Sequence, residues 1–174
     1  MARSDAASPA LGTRSGLGFV LWFAALAVLF ELAFFGLIAH SRLYQEYLEL
    51  NVRGAAALLR LLGQEARSEG VLLSTDSGAI SVQLGCDAVE ATGLFLIAVL
   101  LYPTTGRQKL LGVIGGVVLL SGLNLARLAS LVLLQPRSDR IFRIVHLALW
   151  PAALILAAVV TWVVWALRAP RSRT

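Results

Sequence analysis

Long apolar runs separated by shorter polar stretches dominate the hydrophobic pattern of the chain. The first run covers residues 17–39, and three more follow at 87–102, 110–134 and 141–167. About 20 apolar residues in a helix cross the hydrocarbon core of a bilayer, and the second run is rather short by that measure. The pattern therefore predicts four transmembrane helices within a single membrane domain that covers residues 17–168.

The segments outside this domain are polar. Residues 1–16 are small, polar and weakly basic and are predicted to form a disordered cytoplasmic tail, and residues 169–174 are predicted to form a basic cytoplasmic tail. The first apolar run is longer than the h-region of about 7–15 residues in a signal peptide. It also ends in Leu37-Ile38-Ala39, which is not a small-x-small cleavage site, so a retained helix is expected.

Residues 40–69 mix apolar and charged positions at helical spacing. Tyr47 and several leucines recur on one face, while arginines and glutamates fill much of the other face. This pattern predicts an amphipathic helix that lies on the bilayer or caps the helical bundle. The leucines are Leu43, Leu50, Leu58, Leu61 and Leu62.

The pattern changes to period two between residues 71 and 84. Two apolar arms flank a turn rich in Ser, Thr, Asp and Gly, and the second arm alternates apolar with polar positions. A small β-hairpin is therefore predicted. Its apolar positions Ile80, Val82 and Leu84 lead directly to the only cysteine of the chain, and we expect them to bind an extended substrate by strand addition.

Composition places the whole chain in a membrane. The mean hydropathy is +0.79 and charged residues make up 14% of the chain, whereas soluble domains carry about 25%. The formal net charge is +5, but many of the basic residues lie next to the ends of apolar runs, where Lys and Arg set the orientation of a span. Contact with acidic lipid headgroups explains this charge better than nucleic acid does.

The number of spans determines which residues share a side. Four spans put both chain ends in one compartment, together with the basic turn that contains Arg107 and Lys109, and this side is expected to be cytoplasmic. Residues 40–85 then face outside, and Cys86 and His146 lie at the outer face as well. The fold class predicted is an all-α integral membrane protein, a four-helix bundle with an extracytoplasmic amphipathic helix and a small β-hairpin.

Three residue types suited to nucleophilic chemistry meet at that outer face. Cys86 is predicted to lie at the N-terminus of the second span, and a helix N-terminus or a nearby cation favours the thiolate. His146 has a pKa suited to passing a proton to a leaving amine. Arg127, about 10 Å below the outer end of the third span, could stabilise a thiolate or an oxyanion. Together they could cleave a peptide bond through a thioacyl intermediate.

Three polar residues are candidates for a supporting role. Glu90 follows Cys86 by four residues, so both are expected on one face of the second helix. Asn124 precedes Arg127 by three residues on the same helix face. Glu31, inside the first span, lies at a depth where it could pair with Arg127.

Other interpretations remain open. A single cysteine in a membrane protein is more often a small apolar filler than a nucleophile, and a non-enzymatic scaffold or assembly subunit would need Arg127 only to pair with an acid inside the bundle. One cysteine and two distant histidines form no ligand-spaced cluster, so neither a metal nor a cofactor is expected.

Three stretches resemble the exosortase/archaeosortase family, and the compact exosortase H subgroup in particular. The resemblance covers about residues 85–168, and the stretches occur in the same order on three successive spans. They are Gly85-Cys86-Asp87-Ala88-Val89-Glu90-Ala91, Leu123-Asn124-Leu125-Ala126-Arg127, and His146 ahead of Trp150.

The resemblance implies a cysteine protease or transpeptidase of a bacterial inner membrane, with the family's catalytic Cys, Arg and His at Cys86, Arg127 and His146. It implies substrates that are secreted proteins with a C-terminal motif, a membrane helix and a basic tail, cut at the outer face; the acceptor stays open. Two positions depart from the expected pattern. Asp87 stands where Asn is expected, and Pro151 stands where a polar residue is expected.

Overall fold

The computed structural model of the protein describes residues 13–136 and 138–170. The predicted tail residues 1–12 and 171–174 lie outside this part of the chain. The elements in chain order are α1 (Thr13–Ala33) with a π-helical turn (Phe34–Ile38), α2 (Arg42–Leu61), β1 (Ala66–Glu69), β2 (Leu72–Thr75), β3 (Gly78–Ser81), α3 (Val89–Leu101), α4 (Gly106–Leu134), α5 (Asp139–Ile144), a second π-helical turn (Val145–Leu149) and α6 (Trp150–Arg168).

Apolar helices form at all four predicted positions. Within the described residues, three of them are long and apolar enough to cross a membrane: Gly16–Ile38, Gly106–Leu134 and Asp139–Arg168. The fourth, α3, has only 13 residues, which is about 20 Å of helix. It packs against α1, α4 and α6. Several boundaries differ from prediction by a few residues: α1 begins at Thr13, α3 at Val89, α4 at Gly106 and α5 at Asp139.

Glycines let the apolar helices approach closely. A Cβ on Gly116 of α4 would lie 2.0 Å from the ring of Phe95 on α3, and a Cβ on Gly112 would lie 2.6 Å from the indole of Trp165 on α6. Small residues serve helix contacts in lipid because packing, rather than exclusion of water, drives association there.

Both described ends of the chain lie at the same end of the bundle. Phe19, early in α1, stacks on Trp162 late in α6 with ring centroids 6.0 Å apart. Tyr102, after α3, donates a hydrogen bond to the carbonyl of Ala166 at 3.0 Å. The strands, in contrast, pack against the C-terminal part of α4, so the sheet lies at the opposite end.

The predicted helix over residues 40–69 is wrong in its last part. α2 ends at Leu61, and Gly63 follows with φ +79°, which glycine adopts without steric cost. The N–H of Gly63 donates to the carbonyl of Arg60, which closes the helix. The chain then reverses, and Ala66–Glu69 forms a strand paired with β2.

The buried face of α2 also differs from the predicted one. Leu43, Leu50 and Leu61 are exposed. A different set of residues faces the bundle instead. Gly54 lets α4 approach closely, since a Cβ there would lie 3.0 Å from the side chain of Leu125. The buried residues of α2 are Tyr44, Leu48, Asn51, Val52, Ala55, Ala56 and Leu59.

The predicted hairpin forms, but it belongs to a three-stranded antiparallel sheet with the order β1-β2-β3. Leu73 pairs with Ile80, and Leu72 pairs with Ser81. Gly78 lies against the end of α4, where a Cβ would be 2.8 Å from Oε1 of Gln135. β3 is an edge strand and leads directly into the segment that carries Cys86.

Candidate active site

Cys86 lies in a bend between β3 and α3. The prediction that it lies at the N-terminus of the helix is wrong, because α3 begins three residues later at Val89. Gly85 and Ala88 have φ values of +86° and +58°, which are incompatible with a right-handed helix. Asp87 instead marks the helix start, as its Oδ1 accepts a hydrogen bond of 3.1 Å from the N–H of Val89.

His146 contacts the thiol across the bundle. Its Nε2 lies 4.0 Å from Sγ of Cys86. The imidazole stacks on Phe142, one helical turn earlier, with ring centroids 5.5 Å apart and planes 20° apart. Its Nδ1 is buried and has no partner among the described residues. The stack fixes the ring plane, and Nε2 is the ring atom in position to exchange a proton with the thiol.

A π-helical turn carries His146. The N–H of Trp150 donates to the carbonyl of Val145, five residues earlier, and Pro151 follows with no N–H to continue the ladder. π-helical turns inside α-helices are frequent at functional sites. The indole N–H of Trp150 donates to Oγ of Ser130 at 2.9 Å, which holds this turn against α4. The sequence predicted a plain helix here.

Arg127 lies beneath the bend. Its side chain is only 3% exposed, and Nη2 donates to the carbonyl of Gly85 at 3.2 Å. Its Nε is buried without a partner, and no ion pair to Arg127 occurs within the part of the chain that the structure describes. The guanidinium therefore supports the residue before Cys86, and its Nε donor has no partner among the described residues.

Of the three supporting residues, Glu90 does not take its predicted position. Glu90 shares no helix face with Cys86, because Cys86 lies outside α3. Glu90 and Glu31 instead line a cavity of about 210 Å³ together with Arg127, without forming an ion pair to it among the described residues. Asn124 is fully buried and donates to Oδ1 of Asn51 at 3.1 Å, so it joins α4 to α2.

Two tyrosines of α2, Tyr44 and Tyr47, contact the bend and were missed in the sequence. Tyr44 donates its hydroxyl hydrogen to Oδ2 of Asp87, and Tyr47 donates to the backbone carbonyl of Asp87 at 3.0 Å. Burial raises the pKa of Tyr44 well above its ordinary value, and the hydrogen bond to Asp87 adds to the rise. Burial likewise raises the pKa of Tyr47. The sequence did contain a signal for these contacts, namely two tyrosines three residues apart on the apolar face of a helix. A buried tyrosine hydroxyl needs a hydrogen-bond partner, so both could have been expected to contact another segment.

The thiol faces a cleft of about 380 Å³ between the sheet and the helices. Residues 79–84 form one wall of this cleft, and Leu128, Leu131 and Phe142 belong to the opposite wall. The predicted substrate residues Ile80, Val82 and Leu84 all line it. Val82, however, is 1% exposed and its N–H donates to the carbonyl of Val71 at 2.8 Å, so its backbone N–H serves the sheet.

Fold and site together define a multi-span membrane protein with a cysteine–histidine pair at one end of its bundle. The chain matches the transmembrane exosortase family (Exosortase_EpsH) over residues 10–163. It therefore belongs to this family, and the family resemblance read from the sequence is confirmed. The family is generally one of cysteine peptidase-like transpeptidases.

No curated protein and no solved structure matches the chain significantly.

Proposed function

We propose that the protein is a membrane cysteine transpeptidase that cleaves a C-terminal sorting signal of secreted proteins at the outer face of a bacterial inner membrane. Cys86 is the nucleophile, His146 is the general acid and base, and Arg127 stabilises the thiolate and the oxyanion. The observation that carries this proposal is the 4.0 Å approach of Nε2 of His146 to Sγ of Cys86 at a cleft large enough for a peptide segment.

The first half-reaction forms a thioacyl enzyme. The thiol proton passes to Nε2 of His146, and the thiolate attacks the scissile carbonyl carbon. The tetrahedral intermediate carries a negative oxygen, and the guanidinium of Arg127, whose Nε has no partner among the described residues, is suited to stabilise it. The C–N bond then breaks, and the leaving amine takes the proton from His146.

The second half-reaction releases the acyl group. An acceptor amine or a water molecule gives a proton to His146 and attacks the thioester carbonyl. The C–S bond breaks, and the proton returns to the sulfur from His146. An amine acceptor yields a new amide bond, and water yields a free carboxylate.

The proposed topology has four spans, with α3 as a short second span. Both described chain ends and the α3–α4 turn then lie in the cytoplasm, and α2 with the sheet lies outside. The basic residues Arg107, Lys109 and Arg168 near the cytoplasmic end support this orientation. The scissile bond would then meet Cys86 as the secreted part of the substrate leaves the membrane.

The edge of β3 is the proposed binding site for the substrate chain. Backbone groups of successive residues in an antiparallel ladder point alternately to either side. Ile80 pairs with Leu73 of β2, and the N–H of Val82 donates to the carbonyl of Val71, just before β2. The N–H and C=O groups of Ala79 and Ser81 therefore point to the free edge, which borders the cleft. An extended peptide could pair with these two residues as a fourth strand.

Processing of a reporter that carries the sorting signal tests the proposed function. The Cys86→Ala variant should leave the reporter uncleaved in the membrane, while the enzyme accumulates at its normal level. Cys86→Ser should be nearly as inactive, because a serine hydroxyl is far less nucleophilic than a thiolate. Normal processing by Cys86→Ala would overturn the proposal and favour a non-enzymatic scaffold.

A further inference from the structure

The side chains of the two residues at the centre of the bend contact different partners. Sγ of Cys86 contacts His146, whereas the carboxylate of Asp87 contacts Tyr44 of α2 and the N–H of Val89. Both carboxylate oxygens of Asp87 therefore have a hydrogen-bond donor, although the side chain is only 3% exposed. Asp87 also brings a negative charge to the residue next to the nucleophile, and a like charge disfavours the thiolate.

We propose that Tyr44 is a positioning residue that holds the Asp87 carboxylate away from the thiol, so that Cys86 can ionise beside a buried acid. This inference rests on the proposed function only in taking Cys86 as the nucleophile. The hydroxyl of Tyr44 and the N-terminal N–H of α3 together stabilise the charge of the carboxylate and fix its direction.

The tyrosine is suited to this role across the relevant pH range. Burial and the neighbouring Asp87 raise its pKa, so its hydroxyl remains a hydrogen-bond donor well into the alkaline range. Tyr44 is itself fixed by an edge-to-face contact with Phe34, whose ring centroid lies 5.4 Å away. The charged and titratable groups around the thiol are Asp87, Glu90, Tyr44, Tyr47, Arg127 and His146.

The chain offers a matched control in Tyr47. Its hydroxyl bonds to the same residue as that of Tyr44, but to the backbone carbonyl and not to the carboxylate. Tyr44→Phe and Tyr47→Phe therefore each remove one phenolic hydroxyl from α2, at positions one helical turn apart. Only the first variant takes a donor from the charged group.

The experiment measures alkylation of the thiol by iodoacetamide as a function of pH, with the full chain in lipid nanodiscs. Cys86 is the only cysteine, so the signal belongs to one group, and no substrate is needed. Tyr44→Phe should move the midpoint of the rate profile up by about one pH unit, and Asp87→Asn should move it down by a similar amount. Tyr47→Phe should leave the midpoint in place.

The double variant Tyr44→Phe/Asp87→Asn separates this role from a general loss of structure. The shift caused by Tyr44→Phe should disappear once the carboxylate is gone. The proposal would be overturned if Tyr44→Phe and Tyr47→Phe shifted the midpoint equally. It would also be overturned if Asp87→Asn left the midpoint unchanged. The measurement on Asp87→Asn tests the proposal even if Tyr44→Phe does not fold. Failure of the proposed function would appear separately, as normal processing by Cys86→Ala.

Discussion

Sγ of Cys86 and Nε2 of His146 lie 4.0 Å apart although 60 residues separate them in the chain. The cysteine comes from a bend between a strand and a helix, and the histidine comes from a π-helical turn. Neither segment has regular geometry, yet other elements hold both. Arg127 and Tyr47 bond to the carbonyls on either side of Cys86, and Trp150 bonds the π-helical turn to α4.

Replacement of His146 tests the proton transfer. His146→Ala should lower the rate of sorting-signal cleavage by about 10²–10⁴-fold, because the leaving amine would lose its proton donor. His40→Ala is the matched control, since His40 is the other histidine of the chain and is exposed. It should cleave at the normal rate in the same processing assay. Equal losses in the two variants would assign the effect to the fold and not to catalysis.

Arg127→Lys keeps the positive charge and removes the planar fork of donors. We expect cleavage to fall by about tenfold to a thousandfold, because an ammonium group lacks the planar fork that directs separate donors to the carbonyl of Gly85 and to an oxyanion. Arg53→Lys serves as control, as Arg53 is exposed and pairs with Glu49 at 3.2 Å. Rates are measured at equal amounts of folded enzyme. Full activity of Arg127→Lys would show that its charge alone suffices.

Proline at neighbouring positions of the edge strand tests the binding of substrate by strand addition. Ser81→Pro should slow cleavage about tenfold or more while the thermal unfolding midpoint stays near normal, because the lost N–H points away from β2. Val82→Pro should lower that midpoint, because its N–H donates to the carbonyl of Val71. Unimpaired cleavage by a folded Ser81→Pro variant would exclude pairing at this edge.

Two adjacent glycines of α4 test the packing of the bundle. Gly116→Ala should destabilise the protein by about 1–3 kcal/mol, because the new methyl group would overlap the ring of Phe95. A Cβ on Gly115 meets nothing within 4 Å, so Gly115→Ala should be neutral or slightly stabilising. The measurement is thermal unfolding in detergent. Similar midpoints for the two variants would contradict the described contact of α3 with α4.

Much of the fold was predictable because hydrophobic length and period are local properties. The apolar helices and the turn between β2 and β3 follow from runs and alternation alone. Residues 66–69 were assigned to a helix because Ala66 is followed by three polar residues, which show no alternation typical of a strand. Gly63, whose positive φ ends α2, was the overlooked signal.

The candidate site was predictable in composition more than in geometry. The order of Cys86, Arg127 and His146 on successive segments carried the family resemblance, and the family is confirmed. Their catalytic roles stay a prediction. The bend at Cys86 and the π-helical turn depend on backbone contacts between distant segments. The same holds for the contact of Tyr44 with Asp87, which joins residues 43 positions apart.

Capture of the thioacyl intermediate tests the central claim most directly. A peptide with the sorting signal is incubated with the enzyme, the reaction is quenched in acid, and the intact protein is weighed by mass spectrometry. The proposed mechanism predicts an added mass equal to the acyl part of the peptide, located on Cys86 and released by neutral hydroxylamine. Cleavage of the peptide by an enzyme that never carries this adduct would contradict it.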